Sequence, residues 1–319
     1  MRSPEDRAQD RAEDRADVVC PLTGSPDVTL IQQIPARYLI DRYRRDLDID
    51  LGGVFDGVEC IDLWESPTTG LKFFTPAVTA PPEIYAGLRK QGWYDPKDKF
   101  EFTVGAAATK PGDRVLDIGC GAGHFASHVP HAEYTGLDAS PEAAAAGIHT
   151  LTGALPDIAK SHAGQFDVVT AFQVLEHAAD PLVFIRDATA LLRPGGTLVI
   201  GVPDSGSYLG TLANFVLNAP PHHVTWWNAR SLTALAEIAG LGEVKLHRAP
   251  VETWEARLYW IARVQWRLRP GGAVMFENSR WGRVATVVSY LLSGIPNRVV
   301  PLSANLRGAT TILHGRKSA

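Results

Sequence analysis

Seven stretches of the chain are short, rich in Val, Ile, Leu, Phe or Tyr, and bounded by glycine, proline or charged residues: 114–118, 133–137, 148–152, 166–172, 197–202, 243–247 and 309–315. The fourth, Phe-Asp-Val-Val-Thr-Ala-Phe, is apolar nearly throughout, as a parallel strand covered on both faces must be. Segments with helical spacing lie between them. One opens at Asp180-Pro181 and runs amphipathically to Leu192; another covers 231–239 and stops at Gly240, where a left-handed residue closes a helix. Strands alternating with helices predict an α/β fold over residues 101–319.

The flanking parts read differently. Residues 1–17 repeat the unit Asp-Arg-Ala-Glu/Gln/Asp without an apolar face, which predicts a charged, disordered tail. Residues 18–100 form a separate unit of short strands and turns, ending in aromatic-bearing helical sequence with Tyr85, Trp93, Tyr94, Phe100 and Phe102. Residues 250–307 are an insertion before the last strand. Trp254, Leu258, Ile261 and Leu268 recur there at helical spacing with Arg257, Arg263, Arg267 and Arg269 between them, and a second apolar helix covers 284–292. A lid over the substrate cleft is the preferred reading. Peripheral contact with a membrane surface is the alternative, because basic helices carrying tryptophan suit an interface. No run of 18 apolar residues exists, so no membrane span is expected.

The chemistry is organised around Val115-Leu-Asp117-Ile-Gly119-Cys120-Gly121-Ala-Gly123. Alternating glycines let backbone turn sharply after a strand and let a ligand approach it, and a helix opening behind them would present unpaired N–H groups. The dinucleotide fingerprint needs glycine or alanine three positions after its second glycine; His124 stands there, which argues against a nicotinamide oxidoreductase. The phosphate-loop lysine is absent. Asp138 follows Asp117 by 21 residues. That spacing puts a carboxylate at the tip of the neighbouring strand, where it can accept from a ribose diol, while Ser140 and Pro141 open the next helix.

Asp117-x-Gly119-x-Gly121-x-Gly123, followed by Phe166-Asp-Val-Val, Leu175-Glu176-His177, Asp180-Pro181 and Arg193-Pro-Gly-Gly, resembles the class I S-adenosylmethionine (SAM) methyltransferases. The subgroup is that of ubiquinone-type O-methyltransferases and sugar C-methyltransferases. The resemblance implies a Rossmann-like, mostly parallel seven-stranded sheet in the order 3-2-1-4-5-7-6, with SAM as cofactor. It implies cofactor contacts at Asp117, Gly119, Cys120, Gly121, Gly123, Asp138, Ala139, Leu155, Phe172, Gln173 and Tyr94. Relatives also carry an N-terminal zinc ribbon with two Cys-x-x-Cys-Gly knuckles. Here Cys20-Pro-Leu-Thr23-Gly24 retains one cysteine and Ser66-Pro-Thr-Thr69-Gly70 none. A structural zinc needs four Cys or His ligands, so the ribbon is expected to be degenerate and no metal centre is expected.

Methyl transfer to a hydroxyl or an acidic carbon is helped by a base. His222 and His223 after the fifth strand and His177 after the fourth stand where open α/β sheets bind ligands, with Glu176 to bind substrate or pair with a histidine. A net charge of −4 gives no reason to expect nucleic acid, so the acceptor is read as a small molecule: a sugar, a secondary metabolite or a lipid-linked precursor. Three scattered cysteines suit the reducing cytoplasm. A SAM-binding regulator or scaffold without turnover is the alternative function.

Overall fold

A computed structural model describes residues 17–138, 142–269, 275–277, 279–294 and 306–318. The expected charged tail, apart from Asp17, lies outside the described residues, as do Ala139, Ser140, Pro141 and parts of the 250–307 insertion.

The described chain opens with antiparallel strands β1 (Thr29–Pro35), β2 (Cys60–Glu65) and β3 (Lys72–Thr75). Helix α1 (Ala36–Leu47) lies between the first two, in a stretch the sequence reading took as strands and turns. Its buried residues Ala36, Leu39 and Tyr43 follow helical spacing and pack with Ile34, Ile61, Leu63 and Phe74. The two knuckle-like turns close on each other. Gly24 N–H bonds to the Cys20 carbonyl and Gly70 N–H to the Ser66 carbonyl, each at 2.8 Å, and Cys20 Sγ lies 3.8 Å from Thr69 Oγ1. Cys20, Ser66 and Thr69 are all buried. Hydroxyls stand where a metal knuckle would carry thiolates.

Helices α2 (Pro82–Arg89) and α3 (Phe100–Ala108) lead into the main sheet. Its strands are β4 (Arg114–Ile118), β5 (Glu133–Leu137), β6 (Thr150–Leu151), β7 (Phe166–Phe172), β8 (Leu192–Pro203), β10 (Leu241–Pro250) and β11 (Arg307–Lys317), in the order β10-β11-β8-β7-β4-β5-β6. This is the predicted 3-2-1-4-5-7-6 arrangement. The five strands from β6 to β8 run parallel, and β11 pairs antiparallel with both β8 and β10. The two-residue strand β9 (Thr225–Trp226) leaves this sheet and pairs with β3.

A short helix α4 (Glu142–Ala145) precedes β6; α5 (Leu155–Ser161), α6 (Pro181–Leu191) and α7 (Ala229–Ile238) follow in chain order. The strand pleat sorts neighbouring residues into two cores. Leu116, Val169, Leu198 and Leu313 join Ile185 from α6 and Leu232 and Leu235 from α7. Val115, Val168, Val199 and Ile312 join Phe102 from α3 with Phe125 and Phe172. Helices α8 (Ala256–Leu268) and α9 (Arg280–Leu292) are the helical part of the insertion, and Ile261 and Ala262 of α8 pack on Tyr208, Leu209 and Leu212. Among the described residues no helix is long and apolar enough to cross a membrane.

The edge of the sheet is fastened by Asp204, which is fully buried. Its Oδ2 accepts from Thr311 Oγ1 at 2.6 Å and from the Arg307 guanidinium, and its Oδ1 accepts from Gly206 N–H at 2.8 Å. Asp204→Ala leaves these donors unsatisfied, and is expected to lower the unfolding free energy by about 2–3 kcal/mol, read from the midpoint shift in urea.

Candidate active site

The carboxyl ends of β4, β5, β7 and β8 open into one cavity of about 690 Å³. Gly119, Cys120 and Gly121 border it at one end, beside Asp138. Gly119 has φ +70°, and a Cβ there would meet Val174 Cγ2 at 2.4 Å, so neither conformation nor space admits a side chain. Gly123, expected at the cofactor, does not border the cavity. Its φ is +74° and a Cβ would meet Ile148 Cδ1 at 2.1 Å, so packing under the turn fixes this glycine. The helix expected behind the glycines is a five-residue 3-10 turn, His124–His128. Donor groups therefore come from the turn itself rather than from a helix terminus.

Asp138 Oδ2 accepts from Gly121 N–H at 2.9 Å, which ties the tip of β5 to the glycine turn. Asp117 is buried below, taking hydrogen bonds from Thr170 Oγ1 at 2.7 Å and Tyr134 OH at 2.8 Å. Burial pushes its carboxyl up to about 6, against the pull of those two donors. Burial likewise pushes the Cys120 thiol up to about 12, leaving no reactive thiolate there. Phe172, Gln173 and Tyr94 border the cavity, and Gln173 holds a left-handed φ of 59°. Leu155, expected near the adenine, opens α5 and packs against the main core instead. Ala139 lies outside the described residues.

Glu101 escaped the sequence reading. It is 2% exposed, borders the cavity, and receives Gln173 Nε2 on Oε2 at 2.9 Å, while its Oε1 has no hydrogen-bond partner among the described residues. Burial pushes this carboxyl up to about 7. The available signal was a lone acid in the otherwise apolar run Phe-Glu-Phe-Thr-Val-Gly-Ala-Ala-Ala of α3.

At the other end of the cavity the structure gathers His177, His222, His223 and Glu176. His177 and Glu176 sit on a short 3-10 turn after β7; His222 and His223 precede β9. Ring centroids are 4.6 Å apart for His177 and His222, and 4.4 Å for His222 and His223. His177 Nδ1 bonds to the His222 carbonyl, His222 Nδ1 to the Leu217 carbonyl at 3.1 Å, and His222 Nε2 to Tyr94 OH at 2.7 Å. Burial holds the His177 imidazole down at about 4. Burial, then the neighbouring imidazoles, hold His222 and His223 well below the usual histidine range. Burial pushes the Glu176 carboxyl well up. His222 and His223 are 4% and 6% exposed, whereas the His177 side chain is 17% exposed. Of the two whose side chains compare directly, His177 is the more accessible, 17% against 8% for His223.

Residues 88–246 match a family described as a methyltransferase domain. A ubiquinone biosynthesis O-methyltransferase of Psychrobacter cryohalolentis is 31% identical over 176 residues, covering 47% of this chain and 67% of that protein. The chain belongs to the methyltransferase-domain family. A ubiquinone biosynthesis O-methyltransferase of Xanthomonas campestris pv. campestris is 38% identical over 109 residues, 30% of this methyltransferase and 46% of that protein. The chain thus spans about half the length of that relative. A crystal structure of a SAM-dependent methyltransferase from Archaeoglobus fulgidus superposes with a TM-score of 0.49 at 17% identity, covering 73% of this chain and 100% of that one.

The raised Glu101 carboxyl has a consequence for stability. The folded methyltransferase keeps a proton that the unfolded chain has already released. Stability is then greatest below the ordinary carboxylate pKa and falls as pH rises through about 7. Glu101→Gln keeps the bond to Gln173 and removes the buried charge. Urea unfolding of the ligand-free protein at about pH 8 should show the variant more stable by roughly 2–3 kcal/mol, with the two converging near pH 5.

Proposed function

We propose that this methyltransferase moves the methyl group of SAM to an oxygen of a small-molecule acceptor in the cytoplasm. One observation carries the reading: the glycine turn with Asp138 and the histidine cluster face the same cavity. In this reading Asp138 takes the ribose hydroxyls, and backbone at Gly119 and Gly121 lies against the methionine part of the donor. The unpartnered Glu101 oxygen takes the donor's α-ammonium, and Tyr94 closes over the sulfur. The acceptor lies beyond, among Leu209, Phe215, Leu217 and Leu258, which make that end apolar. The names of the relatives, both O-methyltransferases, favour oxygen as the methylated atom.

The reaction is an in-line displacement, so the chain's main task is to hold acceptor oxygen, methyl carbon and sulfur in line and to exclude water. His177 receives the acceptor proton in this reading, because the His222 carbonyl fixes Nδ1 as the protonated nitrogen and leaves Nε2 as the acceptor. Trp254 and Leu258 of the 250–307 insertion border the cavity, as a covering lid would.

S-adenosylhomocysteine at about 100 times its dissociation constant should stabilise the protein by about 2.7 kcal/mol, while NADH should not. Asp138→Ala should weaken its binding at least roughly tenfold by calorimetry. Absence of binding to the unmodified protein would overturn the proposal.

One observation favours a second reading, in which the acceptor is met at a membrane. Trp281, Val284, Val287 and Leu291 make an exposed apolar stripe on α9, beside Arg280 and Arg283. Co-sedimentation with anionic vesicles, lost on Trp281→Ser with Leu291→Ser, is the outcome this reading requires.

A further inference from the structure

The sequence gives no reason to expect a metal, because its only knuckle-like positions have lost their cysteines. The fold nevertheless brings three imidazoles together from two distant segments. His177, His222 and His223 each offer one ligand atom, and these atoms all lie within 4.8 Å of one another. Glu176 Oε1 stands 3.9 Å from His177 Nε2 and 4.0 Å from His223 Nε2.

Three features separate this cluster from a packed group of aromatic rings. The tautomers are set from outside. A backbone carbonyl accepts from Nδ1 of His177 and another from Nδ1 of His222, so each ring presents Nε2 as its acceptor, that of His222 now meeting the Tyr94 hydroxyl. Metal-bound histidines are held in this way by their outer partners. Second, both oxygens of the fully buried Glu176 lack a hydrogen-bond partner among the described residues, and its Oε1 comes within 4.0 Å of the His177 and His223 rings. A buried carboxyl group with neither oxygen hydrogen-bonded is costly unless a further partner joins it. Third, His177 opens onto the cavity, so an ion held here would keep a coordination position facing the acceptor.

We propose that His177, His222 and His223 form a three-histidine site for a divalent ion of the zinc type, with Glu176 beside it as charge partner. Imidazole nitrogens suit zinc and its neighbours in the transition series, and three protein ligands with an open position make a catalytic rather than a structural site. A tetrahedral ion with bonds near 2.1 Å holds its ligands about 3.4 Å apart, so the side chains close in slightly on binding. His222 Nε2 now carries the Tyr94 hydroxyl, and the ion takes its place.

The role of the ion rests on the methyl-transfer reading; its binding does not. An acceptor hydroxyl on the open position loses its proton more readily. With His177 Nε2 committed to the ion, the proton passes to Glu176 instead, so His177 serves as base only in the ion-free protein. The oxygen forms its bond to the methyl carbon as the sulfur–carbon bond breaks, and that electron pair stays on sulfur, giving S-adenosylhomocysteine.

The test uses the untagged full chain, stripped with chelator and then titrated with Co²⁺ and Zn²⁺. Expected are one equivalent of zinc by elemental analysis and a visible cobalt spectrum of a low-coordinate nitrogen site. His177→Gln, the variant that least disturbs the core, should weaken cobalt binding tenfold or more, with S-adenosylhomocysteine binding retained as evidence of folding. Tyr94→Phe removes the competing hydroxyl and should tighten cobalt binding. Wild-type protein that binds S-adenosylhomocysteine yet retains neither metal overturns the site, and so does a full equivalent of zinc in His177→Gln. A cobalt spectrum without S-adenosylhomocysteine binding supports the metal site and overturns the methyl-transfer reading instead.

Discussion

The segment from His222 to Trp227 is held by both sheets at once, and the geometry of the acceptor end depends on that double grip. Val224 N–H bonds to the Glu176 carbonyl at 2.9 Å, at the end of β7, while the Val224 carbonyl accepts from Phe74 N–H at 3.0 Å. One residue further on, Thr225 and Trp226 pair with Phe73 and Lys72 of β3. A single extended segment therefore serves as the outer strand of the small sheet and as a strap across the mouth of the large one. The small N-terminal unit is in this sense a wall of the cavity. Trp226 packs with its residues Ile61, Leu63 and Phe74, so core contacts hold in place what the backbone bonds align.

The same cavity concentrates buried acids. Asp117, Glu101 and Glu176 are 3%, 2% and 1% exposed, and burial opposes ionisation of each. They differ in how their oxygens are used. Asp117 has both oxygens bonded and reads as a brace beneath the glycine turn. Glu101 has one oxygen bonded, and Glu176 has neither. A fold selected for stability alone would not keep such groups, since filling the same space with apolar side chains is commonly neutral or better. Their place along one cavity is what a site awaiting positively charged ligands requires.

These differences explain what the sequence made visible. The strands and the glycine turn were legible because they rest on local signals: apolar runs of strand length, turn residues and a carboxylate a fixed distance away; the strand order came only with the family resemblance. Helix α1 was equally local, with its Ala36, Leu39 and Tyr43 stripe, and was passed over because the flanking turns dominated the reading. The pairing of β9 with β3 joins residues about 150 apart, and two residues of strand carry no periodicity. The relative exposure of the three histidines was hidden for the same reason. Exposure of His177 against burial of His222 and His223 is set by the small sheet and not by neighbours in sequence. Glu101 was hidden because one acid in an apolar helix gives no hint of which face it occupies.

The two places in the chain with metal-like geometry show how satisfied and unsatisfied groups divide function from scaffold. Around Cys20, burial pushes the thiol up, but hydrogen bonds from Thr23, from Ser66 and from the N–H groups of Leu22 and Thr23 outweigh it and hold the thiol below its ordinary value. Thr69 Oγ1 in turn accepts from Leu71 N–H at 3.2 Å. Every polar atom there has a protein partner, so the turns keep their shape with hydroxyls alone and ask for no ion. Around Glu176 the balance is the reverse: neither carboxyl oxygen has a hydrogen-bond partner among the described residues, and the Nδ1–H groups of His177 and His222 point outward to backbone carbonyls. Shape alone would rank the two places alike; the unpartnered oxygens of Glu176 set the second apart as the proposed ligand site.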